Sequence, residues 1–170
     1  MIGALPGIDA IIAGYVVLLG GAIIVSDARE HRIPNRLTAS WAVGVMVIAA
    51  VAAPQFGWGD LWRSLATGGA MFAAGYLLAI LGPDAFGFGD VKLLGCVGLA
   101  IGHLEPQLVV VWLLALAVWT LVWLLLAPWL DRRYDRRTPL RRRQIAFAPP
   151  IVLALWSTYG VVLLSGGAAG

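Results

Sequence analysis

Residues 108–130 read LVVVWLLALAVWTLVWLLLAPWL, an apolar run without a single charged side chain. A helix that crosses the hydrocarbon core of a bilayer needs about 20 such residues, so this run predicts a membrane-spanning helix. The whole 170-residue chain has the same character, because 61% of it is apolar and only 12% is charged. Soluble domains carry roughly 25% charged residues. The sequence therefore predicts an all-α integral membrane protein, and its length suits a single domain over residues 1–170.

Apolar stretches bounded by charged residues, proline or glycine recur along the chain. They predict a bundle of about six transmembrane helices, at residues 10–26, 37–53, 61–82, 91–102, 108–130 and 145–164. The fourth stretch is short, since a 12-residue helix rises only about 18 Å. It is expected either to gain turns from the glycine-rich segment before it or to stop partway through the bilayer. Broken backbone at that depth is tolerated only inside protein or beside a water-filled cavity.

The basic residues predict the orientation of the bundle, because Lys and Arg accumulate in cytoplasmic loops. Of the twelve in this chain, only Arg63 falls on the opposite side from the others. The first apolar run follows a segment without Lys or Arg and ends in Asp27 rather than in a small-residue cleavage site. It is therefore expected to be a permanent helix and not a secretory signal. Both termini are predicted outside, with the loops after the first, third and fifth spans facing the cytoplasm.

Seven arginines crowd the segment after the fifth span. A cluster of this kind next to a span is typical of a topology anchor that contacts anionic lipid headgroups, and this interpretation is favoured over binding of nucleic acid or a protein partner. The arginines are Arg132, Arg133, Arg136, Arg137, Arg141, Arg142 and Arg143.

The residue inventory excludes several kinds of catalytic site. The single cysteine, Cys96, allows neither a disulfide framework nor a thiolate metal centre. The serines lack a neighbouring histidine in a nucleophile motif, and His31 and His103 are predicted on opposite sides of the membrane. No metal and no cofactor is expected.

The positions of two acids, Asp27 and Asp90, are not explained by exposure to water in a loop. Asp27 directly ends the first apolar run and Asp90 directly precedes the fourth, so both are held where hydrocarbon gives way to water. Ionisable groups at such depth are costly and usually face a cavity or a partner. If the bundle brings these two acids together, one keeps its proton while the other is ionised. An acid and a base then coexist, and they can activate a water molecule for peptide hydrolysis.

The segments around these acids have unusual backbone properties. Asp90 lies in FGFGDVK at residues 86–92, where Gly87 and Gly89 allow either positive φ or the close approach of another chain, such as an extended substrate strand. After Asp27, Pro34 is expected to stop the first helix, and Asn35 is expected to cap the second.

These motifs resemble those of the GxGD intramembrane aspartyl proteases, and among them the type IV prepilin peptidases. The resemblance rests on GFGDVK at residues 87–92, on SDAR at 26–29 followed by IPN at 33–35, and more weakly on IAFAPP at 145–150. It covers nearly the whole chain.

The resemblance implies that Asp27 and Asp90 are the catalytic pair and that Gly87, Phe88, Gly89, Lys92, Pro34 and Asn35 shape the substrate site. The implied substrate is a prepilin or pseudopilin precursor, whose short basic leader is removed at the cytoplasmic face of the bacterial inner membrane. Its apolar helix is expected to dock beside the first and fourth spans. Longer members also carry a loop with paired CxxC motifs and methylate the new N-terminus. The chain has no such cysteines, so it resembles the short peptidase-only type associated with Tad or Flp pili.

Other interpretations of the same residues remain open. The two acids could instead cap helices and pair with Arg29, Arg32 or Lys92, and Asp84, in the same loop as the glycines, is a rival acid. A proton-coupled carrier or a pilus-assembly scaffold is the alternative function. Carriers, however, more often show internal repeats and acids near the bilayer centre. Secretion pseudopilins or signal peptides are alternative substrates.

Overall fold

A computed structural model describes residues 7–30, 32–82, 87–130 and 147–167. These residues form six helices and no strand: α1 (Gly7–Glu30), α2 (Asn35–Phe56), α3 (Trp58–Leu81), α4 (Phe88–Leu104), α5 (Leu108–Leu130) and α6 (Ala148–Gly167). Five of them, all except α4, are long and apolar enough to cross a membrane. The predicted all-α membrane bundle is confirmed. His31, Asp84 and the arginine segment Arg132 to Arg143 lie outside the described residues.

Helix α4 is the centre of the bundle. It contacts each of the other five helices, and it is buried from Val91 to His103 with few interruptions. It begins at Phe88, so it gains its first turn from the glycine-rich segment, as one of the two sequence-based alternatives predicted. Its 17 residues still span only about 26 Å. A short helix is tolerated here because protein surrounds it and satisfies the backbone groups at its ends.

The tightest packing joins α4 to α3 through small residues. A Cβ added to Gly98 would lie 2.8 Å from the Cα of Gly68 and 2.8 Å from the carbonyl oxygen of Thr67, so glycine is required there. Near the same contact, the hydroxyl of Ser64 donates to the carbonyl oxygen of Leu99 over 2.6 Å. Small residues let membrane helices approach closely in the absence of a hydrophobic driving force. Glycines from both helices, such as Gly68 and Gly98, therefore form the α3–α4 interface.

A polar cluster closes the end of the bundle where α1 begins and α4 ends. His103 Nε2 lies 3.0 Å from Asp9 Oδ1, and the side chain of His103 is only 5% exposed. Arg63 forms ion pairs with Asp60 and Glu105. Arg63 is the exception to the distribution of basic residues, and these two acids neutralise it. No local pattern predicts the pairing of Asp9 with His103, because the two residues lie 94 positions apart.

We predict that Gly98→Ala destabilises the bundle, because the new methyl group meets backbone atoms that cannot move aside. Overpacking of this kind costs about 1–3 kcal/mol. The control is Gly14→Ala on α1, where a Cβ meets nothing within 4 Å and where alanine gains about 0.5–1 kcal/mol of helix propensity. Thermal unfolding in mild detergent should show a lower midpoint for Gly98→Ala alone. Equal midpoints would contradict the packing described.

Candidate active site

Asp27 lies in the last turn of α1, which continues to Glu30, beyond the predicted end of the first span. Its side chain is buried, with 6% exposed, and the backbone N–H of Ala148 donates to its Oδ2 over 2.9 Å. Ala148 begins α6, and two of the first four residues of that helix, Pro149 and Pro150, have no N–H to donate. The carboxylate therefore takes a donor that the helix leaves without an internal partner. The positive end of the α6 dipole also favours an anion at this position.

Asp90 is the third residue of α4, and its carboxylate stabilises the start of that helix. Gly87 precedes the helix in extended backbone conformation, and its N–H donates to Asp90 Oδ2 over 3.3 Å. The carboxyl of Asp90 also interacts electrostatically with that of Asp27. The structure thus brings the two sequence-predicted acids to one end of the bundle, from separate helices. The acids Asp9, Asp60 and Glu105 lie at the opposite end.

Gly89 allows the segment between α1 and α2 to approach α4 closely. A Cβ on this residue would lie 3.3 Å from Cβ of Ile33, which belongs to the segment between α1 and α2. Neither Gly87 nor Gly89 has positive φ, since Gly57 is the one glycine with positive φ in the described part of the chain. Positive φ is therefore excluded at both glycines. The residue that approaches Gly89 is the chain's own Ile33, and the approach of another chain stays a prediction.

The prediction that Asn35 caps α2 is wrong. Pro34 occupies the N-cap position, with φ −64° and ψ 129°, and its carbonyl oxygen accepts from the N–H of Leu37 over 3.0 Å. Asn35 is already the first helical residue, and no side-chain cap forms. An N-cap needs non-helical backbone, and the fixed proline ring supplies it one residue earlier. The side chain of Asn35 instead accepts a hydrogen bond from Lys92 Nζ over 2.9 Å.

Lys92 links α4 to α2 beside the acids. In addition to its bond with Asn35, its ammonium lies 4.8 Å from the centre of the Phe88 ring. A cation over an aromatic face is held by the negative face of the ring. The Phe88 ring in turn contacts Tyr76 of α3 edge-on, with ring centres 6.4 Å apart. Phe88, Lys92 and Asn35 therefore form a connected polar and aromatic rim next to Asp90.

A cleft of about 600 Å³ runs from this rim between α2, α3 and α4. Its lining is mainly apolar, and its polar end is formed by Asn35 and Lys92. Cys96 lies in its wall, where the thiol donates to the carbonyl oxygen of Thr38 over 3.3 Å. No local pattern in the sequence predicts this cleft, because residues of three separate helices line it. In the described ranges, no three His, Cys, Asp or Glu side chains are grouped as ligands of a metal ion would be.

These features define a class of protein: a multi-pass helical membrane protein with two interacting aspartates at one end of its bundle. The model of the type IV leader peptidase family matches residues 12–132, a range that includes both acids. The chain belongs to this family, and it is therefore a membrane peptidase of the aspartic type. Comparison with curated proteins and with solved structures found no match. Ala148, which donates to Asp27, lies outside the matched range, so α6 adds a contact to the site that the family match does not cover.

We predict that Gly89→Val disrupts the site by pushing Ile33 away from α4, and that Ile33→Ala partly restores it in the double variant. The matched control is Gly59→Val, since Gly59 is also the second residue of a helix and precedes an aspartate, but a Cβ there meets nothing within 4 Å. Overpacking should lower the thermal midpoint by the equivalent of about 1–3 kcal/mol in Gly89→Val only. If Ile33→Ala brought no recovery, the role of Gly89 would lie outside the Ile33 contact.

Proposed function

We propose that the protein removes the short basic leader of type IV pilin-like precursors of the Tad or Flp kind, with Asp27 and Asp90 as the catalytic pair. One observation carries this proposal: the last turn of α1 and the first turn of α4 place Asp27 and Asp90 at the same end of the bundle, where their carboxyl groups interact electrostatically. The chain also belongs to a leader peptidase family. The proposal covers the peptidase reaction alone.

The proposed reaction needs only these two side chains and water. The ionised carboxylate takes a proton from a water molecule, whose oxygen attacks the carbonyl carbon of the scissile peptide. The protonated carboxyl donates to the carbonyl oxygen, and the other carboxyl passes the proton that it took from water to the amide nitrogen as the bond between carbon and nitrogen breaks. The backbone N–H groups of Ala148 and Gly87 hold one oxygen of each acid. They fix the orientation of both carboxyl groups before the substrate arrives.

A purely structural role would account for each acid separately but not for the pair. Both carboxylates do cap helices, since Asp27 accepts from the start of α6 and Asp90 from the residue before α4. Two caps, however, have no need to be neighbours. Two like charges placed together in a partly buried site raise the free energy of the folded state. Their proximity favours a reaction that uses shared protons.

The carrier and scaffold alternatives are less well supported. A carrier is expected to hold its acids near the middle of the bilayer, at broken helices, whereas Asp27 lies in the last turn of α1 and Asp90 in the first turn of α4. A scaffold needs no acidic pair. Membership of a peptidase family favours the enzymatic function over both.

We further propose that the acids face the cytoplasm, with both termini in the periplasm of a bacterial inner membrane. The end of the bundle that carries Asp27 and Asp90 also holds Arg29, Arg36 and Lys92. Basic residues concentrate on the cytoplasmic side. The arginine segment that follows α5 would then contact anionic lipid headgroups at the same face.

We predict that Asp27→Asn and Asp90→Asn each lower cleavage of a co-expressed pilin precursor by at least about 100-fold, the contribution expected of an acid or base group. Asparagine keeps the shape of aspartate and can still accept from Ala148 or Gly87, so both variants should fold and insert. Asp60→Asn is the control, because Asp60 lies at the opposite end of the bundle. The readout is the mobility shift between precursor and mature pilin. Wild-type processing by either site variant would refute the assignment.

We also predict that cleavage by the purified protein is unaffected by metal chelators and by serine-directed reagents. The proposed acid–base pair needs neither a bound ion nor an alkoxide nucleophile. The measurement compares initial rates with and without each reagent in the same detergent. A chelator-dependent loss that added zinc or magnesium reverses would indicate a metal mechanism instead.

A further inference from the structure

We propose that the cleft between α2, α3 and α4 is the docking groove for the apolar helix of the substrate. This inference rests on the proposed function and adds to it where the membrane-embedded part of the precursor binds. The expectation from sequence placed that helix beside the first and fourth spans. The cleft does border α4, but its other two walls are α2 and α3.

The three walls have the same helical pattern. Each helix contributes residues at positions i, i+3, i+4 and i+7, which form one face over two turns. They are Asn35, Thr38, Ala39 and Ala42 on α2; Leu65, Gly68, Gly69 and Phe72 on α3; and Lys92, Gly95, Cys96 and Leu99 on α4. The groove is therefore about 10 Å long on each helix. A straight apolar helix laid along it would meet three parallel faces, which is the geometry of helix-in-groove recognition.

The walls carry small residues that leave room for the backbone of another helix. Ala39 and Gly69 are exposed on facing walls of the groove, and Leu65 and Phe72 rise on either side of Gly69. In membranes, small residues of this kind allow close packing of two helices. A lipid chain also fits an apolar cleft, but it gains nothing from paired small residues at helical spacing.

The position of the polar end connects the groove to the acids. Lys92 and Asn35 close the cleft at one end, and Lys92 lies two residues after Asp90 on α4. A helix in the groove would therefore end at this rim, and the chain that precedes it would continue past Lys92 towards Asp90. An extended leader exposes carbonyl groups that need donors. The Lys92 ammonium has three N–H donors, one of which goes to Asn35.

The test fills the groove without disturbing the fold. A Cβ at Gly69 meets nothing within 4 Å, so Gly69→Leu places its side chain in the cleft. The control, Gly14→Leu, makes the same change on α1, where a Cβ also meets nothing. We expect Gly69→Leu to raise KM for the full precursor about tenfold, the equivalent of about 1.4 kcal/mol, with kcat little changed. Cleavage of a soluble peptide that spans the leader junction but lacks the apolar helix should not change.

The docking proposal would be refuted if Gly69→Leu, Gly14→Leu and the wild type had equal KM values for the full precursor. It would also be refuted if Gly69→Leu impaired cleavage of the short peptide as much as cleavage of the full precursor. Both tests need active enzyme, so a binding measurement separates this inference from the proposed function.

The binding measurement uses an Asp90→Asn background, in which the precursor stays uncut, with Cys96→Ala and a new cysteine at Phe72 or, as control, at Leu18. Phe72 lines the groove, and Leu18 is exposed on α1. With one cysteine introduced into the apolar helix of the precursor and an added oxidant such as copper phenanthroline, disulfide crosslinks should form at position 72 and not at position 18. Crosslinks at 18 alone would overturn the groove. Crosslinks at 72 with no cleavage by the wild type would support the groove and refute the catalytic proposal.

Discussion

The bond from the N–H of Ala148 to the carboxylate of Asp27 fixes the arrangement on which the site depends. A carboxylate buried in an apolar bundle is costly unless hydrogen-bond donors replace water. The start of a helix supplies both a donor and a favourable dipole. Through this bond, the carboxylate of Asp27 holds the beginning of α6 against the end of α1. Helix α4 packs against both of these helices, and Asp90 in its first turn is then placed at the same end of the bundle.

Two faces of the central helix α4 differ in how closely they are packed. Towards α3, Gly68 and Gly98 bring the backbones into direct contact and leave no space. On a neighbouring face, from Lys92 to Leu99, α4 borders a gap between α2 and α3 of about 600 Å³. The contact side holds the helix in place, and the open side borders a cleft whose lining includes Lys92, two residues after Asp90. One helix therefore serves as the core of the fold and as the floor of the proposed binding groove.

The sequence predicted what depends on local pattern and missed what depends on distant contacts. Apolar runs predicted six helices, and the charges at their ends singled out Asp27 and Asp90. The donor for Asp27 lies 121 positions away, and the partner of Lys92 lies 57 positions away, so no local signal relates them. The prediction that Asn35 caps α2 was wrong for a local reason, because Pro34 occupies the N-cap position. The Phe147-Ala148-Pro149-Pro150 segment was the available signal for a helix start, but nothing in it identifies Asp27 as the acceptor.

The acids at the two ends of the bundle have different kinds of partner. At one end, acids meet groups of opposite or complementary character: Asp9 with His103, and Asp60 with Arg63. Such pairs lower the electrostatic free energy and need no further purpose. At the other end, Asp27 and Asp90 accept from backbone N–H groups and interact with each other. Bringing two carboxyls together makes the protonation of one depend on the other. A fold gains no stability from that coupling, whereas a hydrolase that must supply an acid and a base at one site requires it.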